Sequence, residues 1–222
     1  MSFGQCVSLL SFVLSMGTIA ITYTLATAAG DSPLCNPFID GCTDITHTGM
    51  KGDAGFVFRG GLISACIFFI VWWQCMSEWL KPYANAWLRH IQTLLGVVAA
   101  VGLIVGTAVL VPDSDQIPWN VHVRGANLFF QGMLIGLTLN YYLVFRAKKQ
   151  GLLVPSFKLK TILMVLIWMQ FFIFAGTRVG IEMGHSSRIL EWWSTLFIGI
   201  YYLSAFWDWK SLRLKVENQA NQ

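Results

Sequence analysis

The stretch FRGGLISACIFFIVWWQCMSEWL, residues 58–80, decides the fold class of this chain. Its only charged members, Arg59 and Glu78, lie near its two ends. An α-helix rises about 1.5 Å per residue, so a run of this length crosses a bilayer core of roughly 30 Å. Because the bilayer core offers no partners to backbone polar groups, the run is predicted to be a transmembrane helix.

Five further runs of the same kind predict a bundle of six spans. They cover residues 7–28, 91–111, 126–145, 162–181 and 189–207. The composition, 55% hydrophobic and 12% charged, argues against a soluble domain, which carries about twice that charged fraction. Continuous rather than alternating apolar runs argue against a β-barrel. The predicted fold class is an all-α, polytopic membrane protein with a six-transmembrane-helix bundle, in one domain over residues 1–222.

The basic residues predict the orientation of this bundle. Of the 15 lysines and arginines, ten lie on the side of both termini if six spans are assumed, and five lie on the other. The positive-inside rule then places both termini in the cytoplasm of a bacterial inner membrane or a eukaryotic secretory-pathway membrane. Residues 29–57 become an extracytoplasmic loop that caps the bundle, and residues 208–222 a cytoplasmic tail. The basic segment 146–160, RAKKQGLLVPSFKLK, is predicted to contact anionic lipid headgroups.

The first outer loop contains CNPFIDGCTDITHTG, residues 35–49, with two cysteines. An extracytoplasmic position would let Cys35 and Cys42 form a disulfide. Ligation of a metal by this pair is the minor alternative, since the spacing fits no standard zinc pattern. We predict no cofactor and no metal site. The turn-forming NP and DG dipeptides favour a folded loop over the outer mouth of the bundle.

Ionisable and polar residues gather near the predicted outer ends of the spans. Arg124, Asn127 and Gln131 share one helical face. Because charges inside a membrane are expensive, such groups are candidates for function; alternatively they extend to the interface and pair with headgroups or each other. Histidine beside a carboxylate suits general base chemistry, and arginine suits phosphate. The predicted catalytic residues are His122, Glu191 and His47, and the predicted headgroup-binding residues are Arg59, Arg124, Arg178, Arg188, Asn127 and His185.

The most specific expectation concerns His122 and Glu191. Both lie within about two turns of the outer ends of their spans, so they are predicted to face each other with Arg59 or Arg124 beside them. A carboxylate would set the tautomer of the histidine. The alternative is a structural clamp that joins two helices.

Glycines at four-residue spacing predict close helix packing in lipid. The pairs are Gly102 with Gly106 and Gly132 with Gly136, followed by a series at 176, 180 and 184. Packing inside one bundle is the default interpretation, and a homodimer or a partner membrane protein is the alternative. Membrane lipids are the other expected partners. Nucleic acid is not expected, because no basic domain exists to bind it.

Several segments together resemble the Frag/DRAM/Sfk family of six-span membrane proteins. ILEWWSTLFIGIYYLSAFWDW, residues 189–209, is similar to the last span of the family, with Glu191 and Asp208 at its acidic positions. WNVHVRGANLFF, residues 119–130, is similar to its histidine-led fourth span. ITHTG followed by VFRGGLISACIFF resembles its first-loop element and the start of its second span, which contribute Gly49 and Arg59.

The resemblance is closest to the branch that remodels the lipid of GPI anchors, and it implies a function. It implies that the protein remodels a lipid or lipid anchor by acyl-chain or headgroup chemistry at the outer membrane interface. The protein would then be a lipid acyl hydrolase or acyltransferase. The alternative is a non-catalytic lipid-binding or membrane-organising protein. MKGDAG at residues 50–55 and the Cys35–Cys42 insertion depart from the pattern, as in a divergent or bacterial relative.

Overall fold

The computed structural model describes residues 1–110, 116–178, 186–210 and 212. Within these residues the chain forms eight helices and no strands. The helices are α1 (Phe3–Ala28), α2 (Pro37–Asp40), α3 (Ile45–Thr48), α4 (Gly52–Trp79), α5 (Ala86–Ala108), α6 (Gln116–Lys149), α7 (Phe157–Arg178) and α8 (Ser186–Asp208). Six of them, α1 and α4 to α8, are long and apolar enough to span a membrane, which confirms the predicted fold class.

Some helices extend beyond the apolar runs that predicted them. Helix α6 has 34 residues, or about 51 Å at 1.5 Å per residue, although its apolar run covers only 126–145. Helix α4 begins at Gly52, ahead of the run at 58–80. An apolar run marks the hydrocarbon layer, whereas helical hydrogen bonding continues into the headgroup region. The cations Lys148 and Lys149 favour the end of α6, because they complement the helix dipole.

The six long helices pack in a closed ring. Helix α1 contacts α4 and α8, α5 contacts α4 and α6, and α7 contacts α8 and, less extensively, α6. The chain therefore places the N-terminal ends of α4, α6 and α8 at the same end of the bundle as the C-terminal ends of α1 and α5. The predicted site residues that the structure describes lie at this end, which we call the cap end.

Aromatic residues of α4 and α8 form the centre of the core. The indole of Trp73 donates to the hydroxyl of Tyr202 across 2.9 Å, and the indole of Trp72 donates to the Tyr202 carbonyl across 3.0 Å. The ring of Phe69 stacks on the same tyrosine with centroids 4.5 Å apart. Because these buried N–H and O–H groups find partners, the bulky rings pack without an uncompensated polar group.

Helices α5 and α6 approach closely through glycines. A Cβ atom built on Gly125 of α6 would lie 2.5 Å from the Gly102 carbonyl oxygen and 2.8 Å from the Gly106 Cα of α5. A Cβ atom built on Gly132 of α6 would lie 2.8 Å from the Ala99 Cβ of α5. The predicted close packing at Gly102 and Gly106 is therefore present inside the bundle, as the default interpretation required.

The basic segment 146–160 contains one residue whose position contradicts its prediction. Lys160 is completely buried rather than placed among headgroups. Its Nζ lies 2.7 Å from Asp208 Oδ2, near the C-terminal end of α8. The charge count assigned Lys160 to a loop, but α7 has already begun at Phe157 and carries this lysine into the bundle.

A candidate lipid site beneath the disulfide loop

Residues 29–51, which connect α1 to α4, form a compact structure that we call the cap. Cys35 and Cys42 form a disulfide, as predicted. The Asn36 side chain accepts from the Phe38 N–H at the start of α2, and Gly41 ends this helix with a φ of 58°. Left-handed backbone of this kind favours glycine. The short helices of the cap therefore begin and end at residues suited to those positions.

Two tryptophans of α8 dock the cap onto the bundle. The indole of Trp192 donates to the carbonyl of Thr43 across 3.0 Å, and the indole of Trp193 donates to the carbonyl of Phe38 across 3.0 Å. The Phe38 ring lies edge-on to both indoles, with centroids 5.4 and 5.1 Å away. The WW pair that follows Glu191 is thus the docking surface for the cap.

Two further contacts complete this docking. Arg188 of α8 donates to the carbonyl of Cys42 across 3.2 Å. The Tyr23 hydroxyl of α1 donates to the carbonyl of Cys35 across 2.7 Å and accepts from its N–H across 3.0 Å. The predicted headgroup ligand Arg188 therefore contacts the backbone of the cap.

A cavity of about 60 Å³ lies between the cap and the long helices. Its walls come from α1, α4, α5, α6 and α8, and Ile45 and Thr46 of the cap also line it. Both His122 of α6 and Glu191 of α8 contribute to the lining. A volume of this size admits a few water molecules. The structure thus brings the two principal predicted residues to one cavity.

The geometry around His122 defines the tautomer of its imidazole. The buried imidazole lies with Nδ1 2.9 Å from the carbonyl oxygen of Gly106 and Nε2 3.1 Å from the Thr46 hydroxyl. A carbonyl oxygen can only accept, so Nδ1 carries a proton. In the neutral imidazole Nε2 then accepts from Thr46. A backbone carbonyl, rather than the predicted carboxylate, therefore sets the tautomer.

Glu191 faces the cap as well as the cavity. Its carboxylate accepts a hydrogen bond from the backbone N–H of Ile45, the residue that precedes Thr46. The carboxylate therefore holds the backbone from which the hydroxyl of Thr46 projects toward His122. His122 and Glu191 are connected through the cap, and their side chains make no direct hydrogen bond to each other.

His47 does not line this cavity. Its Nδ1 lies 2.7 Å from the carboxylate of Asp44, and 53% of its side chain is exposed. The hydrogen bond to Asp44 raises the pKa of His47 above its ordinary value of 6.5, outweighing partial burial and the charge of Arg188. Burial alone would raise the pKa of Asp44, but its bonds to the side chain and backbone of His47 lower it below 3.8.

The predicted headgroup ligands on α4 and α6 lie elsewhere. Arg124 and Asn127 are exposed on the face of α6 opposite Gly125, which packs against α5. Arg59 donates from Nη1 to the carbonyl of Leu110 across 2.8 Å. None of these three residues lines the cavity. The shared face of Arg124 and Asn127 points outward because the small residues of α6 face its neighbour.

A family comparison identifies the chain. The family described as Frag1/DRAM/Sfk1/Cwh43P N-terminal domain matches residues 3–212. The chain belongs to this family. No curated protein and no solved structure matches the chain at significant similarity. It is therefore a multi-pass membrane protein of the Frag1/DRAM/Sfk1 family.

Gly49, one of the residues that carried the resemblance to the Frag1/DRAM/Sfk1 family, has a clear local role. A Cβ atom there would overlap the ring of Phe58, which lines the cavity.

Thr46, three residues before Gly49, was missed as a candidate because its partner His122 is distant in the sequence. The predicted His185 and the side chain of Arg178 lie outside the described residues.

Proposed function

We propose that this protein remodels the acyl esters of a membrane lipid at the cavity beneath the cap. The observation that carries the proposal is the buried contact of the His122 imidazole with the Thr46 hydroxyl and the Gly106 carbonyl. A nucleophile, a base and a group that orients the base are the parts of activated hydroxyl chemistry. Glu191 has a positioning role, since it binds the backbone beside Thr46.

The reaction would proceed by acyl transfer. The Thr46 Oγ attacks the ester carbonyl while its proton moves to the His122 Nε2. The bond to the lipid alcohol breaks, and that alcohol leaves with the proton from Nε2. Water or a second lipid hydroxyl then releases the acyl group from Thr46, which corresponds to a hydrolase or an acyltransferase. The Gly106 carbonyl keeps Nδ1 protonated throughout, so Nε2 is the ring nitrogen that acts as the base.

Two features support an outer membrane interface as the place of this reaction. The cap is closed by a disulfide, and disulfides persist in oxidising compartments outside the cytosol. The positive-inside rule independently assigns the opposite end to the cytoplasm. Both termini are then cytoplasmic, in a bacterial inner membrane or a eukaryotic secretory-pathway membrane. Resemblance to the GPI-anchor branch makes a glycosylated inositol lipid the first substrate to test.

The size of the cavity favours a second candidate function. About 60 Å³ holds water but not a lipid headgroup, so an ester enters only if the cap moves. A non-catalytic lipid-binding or membrane-organising protein needs no such entry. In that role the contact between Thr46 and His122 is a clamp that holds the cap on the bundle.

The deciding experiment uses the full chain in phosphatidylcholine vesicles that contain a glycosylated phosphatidylinositol, with labelled acyl chains on both lipids. We expect Thr46→Val and His122→Ala to lose at least about a hundredfold in acyl release, with Thr46→Ser active. Arg124→Gln, an exposed control, should leave the rate unchanged. Thermal unfolding of each variant separates lost chemistry from lost fold.

The outcomes separate the candidates. Acyl release that survives in Thr46→Val but not in His122→Ala assigns the attack to a water and removes Thr46 from the mechanism. Equal acyl release from all folded variants contradicts the catalytic proposal. Lipid binding without acyl release in the unmodified chain favours the second candidate.

A further inference from the structure

An open groove of about 930 Å³ runs between α6 and α7 on the outer surface of the bundle. It exists because α7 packs mainly against α8 and less against α6. Its lining is predominantly apolar and includes Thr138, Tyr141, Met164, Val165, Trp168 and Phe172. The groove therefore exposes a hydrocarbon surface at the depth of the membrane.

The polar groups within the groove are already paired with each other. The hydroxyls of Tyr141 and Thr161 lie 3.0 Å apart, and the indole of Trp168 donates to the hydroxyl of Thr138 across 3.1 Å. These bonds connect α6 to α7 across the floor. Since these half-buried polar groups already have partners, they do not require a polar ligand, and the groove fits an acyl chain rather than a headgroup.

The length of the groove also fits acyl chains. On α7 its lining runs from Thr161 to Gly176, which corresponds to about 22 Å of helix. One leaflet contributes about half of a bilayer core of roughly 30 Å. A lipid from the leaflet at the α6–α7 loop therefore finds a groove along the full length of its chains.

The loop end of the groove is strongly basic. The ring of Phe157 stacks on Tyr141, which lines the groove, with centroids 5.7 Å apart. Lys148 places its Nζ 4.0 Å from the Phe157 ring centroid, and Lys149 places its Nζ 4.5 Å from the centroid of the neighbouring Phe145 ring. Both lysines remain exposed. The ammonium groups thus stand where the headgroup of a lipid in the groove would lie.

Lys158 adds a third exposed cation at this end. It precedes Thr161 by three residues, so it continues the groove-lining stripe of α7 by one turn. Basic side chains near a membrane surface attract anionic lipid, each with a free energy of about 1 kcal/mol. The apolar groove and the basic end are therefore two parts of one amphipathic site.

We propose that the α6–α7 groove binds an anionic glycerophospholipid, with its acyl chains in the groove and its phosphate at Lys148, Lys149 and Lys158. This site is independent of the proposed acyl-transfer site. Lys148 lies 26 residues after His122 on the same helix, about 39 Å away along its axis. The two sites serve opposite leaflets.

Bromine atoms on acyl chains quench nearby tryptophan, and Trp168 lies in the groove. We would reconstitute the full chain in phosphatidylcholine vesicles that contain either brominated phosphatidylglycerol or brominated phosphatidylcholine. The chain has ten tryptophans. The fluorescence of the Trp168→Phe variant is therefore subtracted from that of the unmodified chain, and the difference is the emission of Trp168. We expect the anionic lipid to quench this component at several-fold lower mole fraction than the zwitterionic lipid.

Two pairs of lysine variants test the basic end. Lys148→Gln with Lys158→Gln should remove most of this several-fold preference, so that the two lipids quench at mole fractions within about twofold of each other. The control, Lys81→Gln with Lys210→Gln, removes two exposed cations from the same end of the bundle and should keep the preference. Equal quenching by both lipids overturns the proposal. An equal loss of anionic preference in both pairs of variants also overturns it. So does a Trp168 component that neither brominated lipid quenches.

Discussion

His122 on α6 donates its Nδ1–H to the main-chain carbonyl of Gly106 on α5 across 2.9 Å. This bond forms because the two helices touch at glycines. A Cβ on Gly106 would itself lie 3.1 Å from the His122 carbonyl oxygen. The close helix contact and the orientation of the imidazole are therefore one structural feature.

Gly125→Ala tests this relation. Its methyl group would press on the Gly102 carbonyl and the Gly106 backbone, which cannot rotate away. We expect the free energy of unfolding to fall by roughly 1–3 kcal/mol, as measured by thermal or denaturant unfolding in detergent. Gly60→Ala, where a Cβ meets nothing within 4 Å, is the control and should be neutral or slightly stabilising. Equal effects of both substitutions would contradict the proposed tight contact.

The disulfide gives a second prediction. Cys35→Ser opens a loop of eight residues and should lower stability by about 2–3 kcal/mol. Cys6→Ser, at a free cysteine of α1, is the matched control. Reducing agent should lower the thermal midpoint of the control but not that of Cys35→Ser. A midpoint of Cys35→Ser equal to that of the oxidised control would show that the docking by Trp192 and Trp193 is sufficient without the bond.

The six spans could be predicted because bilayer thickness sets one length for every apolar run. The orientation of each helix about its axis could not be predicted in the same way. Periodicity correctly placed Arg124 and Asn127 on one face, but that face points outward. Gly125, between them, decides the orientation because its missing side chain admits the backbone of α5.

The candidate site was predictable only in part. His122 and Glu191 were found from their matched depth, and both line the cavity. Thr46 was not found, because its position depends on how a short loop folds back onto the bundle. Lys160 was assigned to a surface for a related reason. Its partner Asp208 lies 48 residues away, and local sequence patterns contain no information on such pairs.

The Asp44–His47 pair predicts a pH dependence for the cap. The pKa of His47 is raised, so its contribution is complete below pH 6.5 and is lost as pH rises through the higher folded pKa. The pKa of Asp44 is lowered, so its contribution is complete above pH 3.8 and is lost as pH falls through the lower folded pKa. The pair therefore stabilises the cap most between pH 3.8 and pH 6.5.

Thermal midpoints of the unmodified chain and His47→Gln, compared from pH 5 to pH 9, measure this effect. The difference should favour the unmodified chain at pH 5.5 and shrink toward zero as the solution becomes alkaline. His90→Gln removes an exposed histidine from the other end of the bundle and should show no such trend. A difference for His47→Gln that stays constant or grows with pH would be incompatible with the ion pair.

The last prediction concerns the buried pair of Lys160 and Asp208 at the end opposite the cap. The Lys160 Nζ donates to Asp208, and also to the hydroxyls of Ser156 and Ser204 across 2.7 and 2.5 Å. Asp208 also accepts from the N–H and hydroxyl of Ser156. Both ionisable side chains are fully buried, so each depends on the other for compensation of its charge.

Removal of one partner leaves a buried charge without compensation. Lys160→Met and Asp208→Leu should each lower the free energy of unfolding by about 3–5 kcal/mol, whereas the double variant should lose less than either single one. Lys158→Met, at an exposed position two residues earlier, is the control and should be nearly neutral. Unfolding free energies of the unmodified chain, the two single variants and the double variant give the coupling free energy between Lys160 and Asp208. Additive losses would mean that the two charges are compensated separately by the serines, and that α7 and α8 are joined by packing rather than by this pair.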